Sequence, residues 1–519
     1  MKTVLALVVF LLLGTCTMSQ ELKRDVTFNN NDTTANSSVR CIAIQADQKI
    51  IFFGDNTFYN GYWPLGNGMP INYGGRLNMD GSWDASFQGI TLDGRVDDVQ
   101  IQDWDQKVLI GGSFTQVNGI PRSGIARLNT DGTVDMSFNP GTGISGRWDG
   151  DLRVWSIQVK NAALPADRRI YIGGHFEYYN GTYVGLRGGV ARLLENGSKD
   201  MAYDPQVTNG VVYCILLDQA TDQLYVGGDF WKVAGADKIR FARLNSNGSL
   251  DNAYTIGNFW DFPDGTLTSM TLTPSGKLLI GGYFTSIKGF TRRGLCRMNL
   301  DGTVDASFNM GRGFENGGSA LDNGTEVRTV LTLKDGSIIA GGNFTKYNGV
   351  SCPYIVKLEE DGRIDTDTTF GTGFNEWVTD LKVQNYAGVE SRLVVGGFFT
   401  RYQGFYQGAI MRLFTMIALA QTPTAEKPPI VKPAAELAVY PNPVASVMQV
   451  KSAFTKATTC YFKLVDMNGL VIKSWRTRIA GGNQSTQFQM PPFAGKYIVL
   501  QMTDEGGYPL LITTLRARP

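Results

Sequence analysis

The sequence predicts an all-β protein: a seven-bladed β-propeller closed by an N-terminal strand, followed by a small C-terminal β-sandwich. Three observations carry this expectation. A glycine-pair segment recurs in seven copies, the apolar stretches around it are short and bounded by turn residues, and the chain opens with the ending of its own repeat. Composition agrees, since 62 Gly, 21 Tyr and 28 Phe in 519 residues favour many strands joined by tight turns over long helices.

Residues 1–20 read MKTVLALVVFLLLGTCTMSQ: a positive Lys2, an apolar run from Val4 to Leu13, then small and polar residues. The run is too short to span a bilayer and has the layout of a cleaved secretory signal peptide, with cleavage expected near Ser19 or Gln20. The mature chain is therefore expected to leave the cytoplasm and to carry no membrane span. Five cysteines remain after such cleavage, an odd number that argues against a complete disulfide framework. Cys41 and Cys214 fall at one place in the repeat, and Cys296 stands where other copies have Ala. All three read as small buried packing residues.

The propeller is expected over residues 21–414. LIGGSFTQVNG at Leu109, YIGGHFEYYNG at Tyr171, YVGGDFWKVAG at Tyr225, LIGGYFTSIKG at Leu279, IAGGNFTKYNG at Ile339 and VVGGFFTRYQG at Val394 are six clear copies, with a degenerate one at Phe52. After each comes a short strand with a basic residue, at Arg76, Arg127, Arg192, Arg243, Arg297, Lys357 and Arg412, spaced 51 to 65 residues apart. Each unit reads as four strands. An inner one such as VDDVQIQ precedes KVLIGG, an N-G or K-G turn leads to ARLN, and a D-G turn leads to TVDMSFN. The glycine pair sits in strand context, which predicts a bulge or a close blade contact; it lacks the G-x-G-x-x-G spacing of a phosphate loop.

Seven four-stranded units are arranged most simply as a ring about a channel, with an open solenoid as the alternative. The last copy, GAIMRLF, ends at Phe414 without a D-G turn and without a D-x-S-F strand. DVTFNN, near the start of the mature chain, supplies Asp25, Thr27 and Phe28 in the missing positions. A terminal strand that completes the last repeat closes a ring.

The motif G-G-x-F-T…N-G…A-R-L-N-x-D-G-T-x-D-x-S-F-N, as in Gly111 to Asn139 and Gly281 to Asn309, is similar to the delta-60 repeat, a family of bacterial propeller repeats. The resemblance covers roughly residues 25–414. It implies the fold and brings no established catalytic residues.

Residues 415–436, including TPTAEKPPIVKPAAE, read as a Pro-rich extended linker. From 437 to 519 strands alternate with turn residues, enough for a small β-sandwich. Tyr440-Pro441-Asn442-Pro443, then VDMNGLVI with Gly469, then FAGKYIVLQM with Gly495, resemble the C-terminal sorting domain of type IX secretion cargo. That resemblance implies export across the outer membrane of a Gram-negative bacterium by the type IX machinery, followed by release or surface attachment.

Lys and Arg (48) nearly balance Asp and Glu (47), so no global field draws the chain to nucleic acid or an anionic membrane surface. A single histidine, His175, and the absence of C-x-x-C leave no zinc signature, and no cofactor is expected. The N-x-D-G-x-x-D pattern lacks the closing Glu of a calcium loop and reads as a turn. Tryptophans in the irregular insertions, Trp63, Trp148 and Trp260, are the candidate ligand-binding residues, suited to an extracellular glycan or a surface protein. Trp155 lies in an inner strand and reads as packing between blades. The chain is thus expected to be a non-catalytic binding or scaffold module, secreted or held at the cell surface. The competing reading is a carbohydrate-cleaving enzyme using insertion-loop carboxylates such as Asp149, Asp151, Asp261 and Asp264.

Overall fold

The computed structural model describes residues 20–25, 28, 37–55, 58–59, 69–70, 73–87, 89–147, 151–205, 207–254, 265–316, 324–386 and 389–414. In the tail it describes the strands at 438–440, 447–454, 458–466, 471–479, 482–489, 497–503 and 509–516. Among these residues no helix is long and apolar enough to cross a membrane.

Each repeat folds as an antiparallel meander. In the second, Val96–Ile101 pairs with Val108–Gly112, which pairs with Ile125–Leu128. The inner strand is only partly buried, whereas the middle one, a continuous apolar run, is buried along its whole length, and this explains the order. Seven such sheets occur among the described residues. Their inner strands are Val39–Ile44, Val96–Ile101, Arg153–Lys160, Val207–Leu217, Thr266–Leu272, Glu326–Thr332 and Val378–Tyr386. Each packs against the next, and the last packs back on the first, so the inner strands surround one axis. The core lies between neighbouring sheets: Ile110 and Ala126 meet Cys41 and Phe53, while Ile42, Phe52 and Leu77 meet Val394 and Ile410 across the closure.

The fourth strand expected in each repeat is reduced to one bridge, as at Leu128–Val134, Met298–Val304 and Leu358–Ile364. The reason is the aspartate that follows. Asp135 Oδ1 accepts from the Ser137 N–H (2.9 Å) and Oγ (2.7 Å), turning the chain away, while Oδ2 accepts from Arg127 Nε (2.7 Å).

That aspartate pairs with the repeated basic residue in every unit, at 2.7–2.9 Å: Arg76–Asp84, Arg127–Asp135, Arg192–Asp200, Arg243–Asp251, Arg297–Asp305 and Lys357–Asp365. The seventh pair is Arg412–Asp25. Arg24 also bridges Leu413, the Asp25 N–H donates to the Arg412 carbonyl (2.8 Å), and Arg412 stacks over Phe28 at 4.8 Å. The Tyr402 hydroxyl donates to the Leu22 carbonyl (2.7 Å), as Tyr179 and Tyr347 donate to turn glycines Gly197 and Gly362 of their own repeats. The N-terminal segment therefore stands in for both the missing strand and the missing D-G turn, and it closes the ring. Thr27 lies outside the described residues.

The tail strands form two antiparallel sheets. Ala438–Tyr440, Val447–Phe454 and Gly482–Gln489 make one; Val471–Ile479, Thr458–Asp466, Tyr497–Thr503 and Pro509–Arg516 make the other.

Candidate functional site at the channel mouth

Every inner strand carries a β-bulge at the same place. Register slips between Val39 and Cys41, Val96 and Asp98, Val154 and Ser156, Val212 and Cys214, Leu267 and Ser269, Val327 and Thr329, and Val378 and Asp380. The glycine pair lies opposite. A β-carbon on Gly112 would stand 2.0 Å from the Arg95 carbonyl oxygen, and one on Gly111 would stand 2.8 Å from Val154 of the next sheet. The pair thus serves both the bulge and the blade contact that strand context predicts.

A bulge releases one residue from the ladder and re-aims it. The seven released residues are Arg40, Asp97, Trp155, Tyr213, Thr268, Arg328 and Thr379. Several bridge neighbouring sheets at one level. Arg328 stacks over Trp377 (4.8 Å), Trp377 meets Phe398 edge-on (6.0 Å), and Phe398 lies under Arg40 (5.5 Å). Farther round, Asp97 approaches Arg153 (3.6 Å), Arg153 stacks on Trp155 (4.5 Å), and Trp155 meets Tyr213 edge-on (5.3 Å). Thr379 and Thr268 donate to the Val39 and Val327 carbonyls of the next sheet. Two cation–aromatic clusters therefore lie along the ring of inner strands, separated on one side by Thr268 and adjoining on the other at Arg40 and Asp97.

Four of the seven residues after the bulges accept a hydrogen bond from the next sheet. Asp98 accepts from the Ile157 N–H (2.6 Å), Asp380 from Ile42 (2.7 Å), Ser156 from Ile215 (3.2 Å) and Ser269 from Val330 (3.2 Å). Cys41 and Cys214 occupy this ring, and both are buried, as is Cys296. Burial pushes the Asp98 carboxyl up to about 6 and raises the Cys41 thiol well above its ordinary value. Burial opposes charge on Lys382 too, but Asp380, hydrogen-bonded at 2.6 Å, raises it. Burial raises Asp97, with Arg153 pulling the other way, and burial also lowers Arg153 and His175.

His175 closes the middle strand opposite Arg153, with Nδ1 3.2 Å from the Asp151 carbonyl oxygen. Asp151 is exposed and its carboxylate pairs with Arg153. Trp155 is half-buried and does bridge two blades, as its inner-strand position predicts, but it does so at the channel mouth. The candidate residues Trp63, Trp148 and Trp260 lie outside the described residues, as do Asp149, Asp261, Asp264, Pro441, Asn442, Pro443, Gly469 and Gly495; Tyr440 ends the first tail strand. Apart from Trp155, the bulge residues were not singled out from sequence. Their signal was there, as one variable position before a small polar residue in each inner strand.

In the N-x-D-G-x-x-D turns the oxygens are used locally. Asp131 Oδ1 accepts from the Thr133 N–H and hydroxyl, and Asn129 donates to Thr133.

Five stretches of the chain, 105–138, 166–203, 219–254, 273–308 and 333–367, match the family described as a domain of unknown function (DUF5122) β-propeller. No curated protein matches. Among solved structures, the WD40 β-propeller domain of Doa1 is 13% identical with a TM-score of 0.29, over 60% of this chain and 91% of that one. PorZ, a surface component of the type IX secretion system of Porphyromonas gingivalis, is 12% identical with a TM-score of 0.30, over 93% and 82%. Dimeric latent PorU of the same organism is 10% identical with a TM-score of 0.13, over 93% and 32%. Scores of this size carry no functional argument. The repeat match and the closed ring of sheets make this chain an all-β protein built on a β-propeller.

Proposed function

We propose that the propeller is a non-catalytic binding or scaffold module on the outer surface of a Gram-negative bacterium, with the channel mouth as its ligand face. The observation that carries this reading is the ring of bulge residues. Each repeat keeps its basic residue–Asp pair for structure, and six of the seven keep the glycine pair, while the position released from the ladder differs from sheet to sheet and gathers Trp155, Tyr213, Arg40 and Arg328. Aromatic faces beside guanidinium donors suit a saccharide, whose C–H face stacks and whose hydroxyls accept. The delta-60 character of the repeats and the sorting role of residues 437–519 belong to the same proposal and rest on their motifs.

A glycan array with product analysis tests the binding reading. Trp155→Ala and Tyr213→Ala are expected to abolish capture of the bound glycan with the unfolding midpoint little changed. Cleavage of that glycan, lost in Asp151→Asn, would favour the enzyme instead. Deleting residues 437–519 is expected to trap a folded propeller in the periplasm. Normal extracellular delivery of the truncated chain would remove the export claim.

A further inference from the structure

Side chains join the inner strands from sheet to sheet, with one interruption. Arg328 of the sixth sheet reaches Trp377 of the seventh, Phe398 of the seventh reaches Arg40 of the first, Asp97 of the second reaches Arg153 of the third, and Trp155 of the third reaches Tyr213 of the fourth. The charges of Arg40 and Asp97 act on one another between the first and second. The fifth sheet breaks this series. Its bulge releases Thr268, and the position two residues earlier, which is Arg153 in the third sheet and Trp377 in the seventh, is Thr266. Both are half-exposed, and Thr268 donates to a backbone atom, the Val327 carbonyl (2.9 Å). Among the described residues neither threonine bonds to a side chain of a neighbouring sheet. The inner strand of the fifth sheet packs between those of the fourth and sixth, so the short side chains leave the series open between Tyr213 on one side and Glu326 and Arg328 on the other.

The groups around this break have hydrogen-bonding capacity to spare. Tyr213 is half-exposed, and Tyr283, which lies opposite Thr266 in the ladder, is 40% exposed. The hydroxyls of Tyr213, Tyr283 and Thr266 have no hydrogen-bond partner among the described residues, and Arg328 Nε is buried without one. Charge, by contrast, is already matched. Glu326 pairs with Arg328 (3.1 Å) and Asp229 with Arg240 (3.5 Å). Burial raises the Tyr213 phenol above its ordinary value, with Asp229 and Glu326 adding to it, so this hydroxyl stays neutral.

We propose that the break at the fifth sheet is the subsite where the ligand seats, and that it takes a neutral sugar unit. The proposal rests on the channel mouth being the ligand face. The tyrosine rings offer surfaces for the C–H side of a sugar, the three spare hydroxyls each donate and accept as sugar hydroxyls do, and Arg328 Nε adds a donor. A carboxylate or sulfate would find both nearby cations already paired and would be opposed by Asp229 and Glu326.

Binding of the purified chain to cello-, manno- and galacto-oligosaccharides, with oligogalacturonate and chondroitin sulfate oligosaccharides as acidic counterparts, tests this. Capture is expected among the neutral probes and not the acidic ones. Thr268→Arg, which fills the break with the side chain found at Arg40 and Arg328, and Tyr283→Ala, which removes an exposed ring, are each expected to weaken that capture about tenfold or more at an unchanged unfolding midpoint. Tyr283→Ala decides if Thr268→Arg shifts the midpoint. Phe405→Ser, at an exposed ring in the last hairpin, is expected to leave capture unchanged. Parental affinity in Tyr283→Ala, with capture still lost in Trp155→Ala, overturns the subsite and leaves the mouth as the ligand face. Capture of the acidic probes alone overturns the neutral assignment. Capture of no probe overturns both the subsite and the reading it rests on.

Discussion

The Asp25 carboxylate lies 2.9 Å from Arg412 Nε, 387 residues farther along the chain, and 2.9 Å from Arg392 Nε. It repeats across the termini the pair that every other unit makes within eight residues. Asp25 and Arg412 are both buried, so removing the carboxylate leaves a guanidinium without its counter-ion in a dry place. Asp25→Ala is expected to cost about 3–5 kcal/mol. Urea unfolding checks it, and a midpoint matching the parent would mean that the ring closes without this pair.

Phe28 is buried beneath Arg412 among Ile42, Phe52 and Ile410. Phe28→Ala removes that ring from the closure core and is expected to cost about 3–5 kcal/mol. A loss below about 1 kcal/mol would show that the N-terminal segment is peripheral to stability.

The sixth repeat has Lys357 where the other six have Arg. Each of those arginines also donates Nη1 to a turn carbonyl of the next repeat: Arg76 to Thr130 (2.6 Å), Arg127 to Glu195 (2.7 Å), Arg243 to Leu300 (2.9 Å), with Arg192 to Ser246, Arg297 to Glu360 and Arg412 to Met79. Lys357 precedes the last repeat, whose sequence ends without the D-G or N-G turn that the others carry, and among the described residues it pairs with Asp365 at 2.7 Å. Arg297→Lys is therefore expected to cost about 1.5–3 kcal/mol, the worth of a charged hydrogen bond, while Lys357→Arg is expected to be near neutral. Equal effects in thermal melts would refute the latch.

Gly112 and Gly119 separate packing from conformation. A β-carbon at Gly112 meets the Arg95 backbone at 2.0 Å, whereas Gly119, at φ +74°, has open space. Gly119→Ala is expected to cost about 1 kcal/mol from strain, and Gly112→Ala about 3 kcal/mol or more, because the bulged backbone must move. The reverse order in denaturant midpoints would contradict the bulge.

Asp98 makes a pH test. Burial raises its carboxyl from 3.8 to about 6, so between those values the folded chain holds a proton that the unfolded chain has released. Stability therefore falls as pH rises through that window, then levels off. Asp98→Asn keeps an acceptor for the Ile157 N–H and is expected to stabilise at pH 7. The channel leaves Asp98 partly open to water, which reduces the gain to about 1–2 kcal/mol. No gain at pH 7, or an equal gain at pH 3.5, would rule this out. The opposite slope belongs to Asp135: against the effect of burial, Lys107 and Ser137 hold its carboxyl below the usual range, so its contribution is lost only as the pH falls through acid values.

Much of the fold was legible because its causes are local and repeated. Turn glycines, the basic residue eight positions before an aspartate, and the truncated last copy are readable in order along the chain, and DVTFNN announced its partner by resembling it. The fourth strand was over-read, because DxSF residues are spaced like a strand while the aspartate bonds its own backbone. The mouth is a different case. Trp155 and Tyr213 are 58 positions apart, as are Asp97 and Trp155, and nothing in either local stretch brings them together. The bulge turns one residue of each inner strand out of its ladder, and ring closure places the seven side by side, because around the axis each inner strand lies between two others.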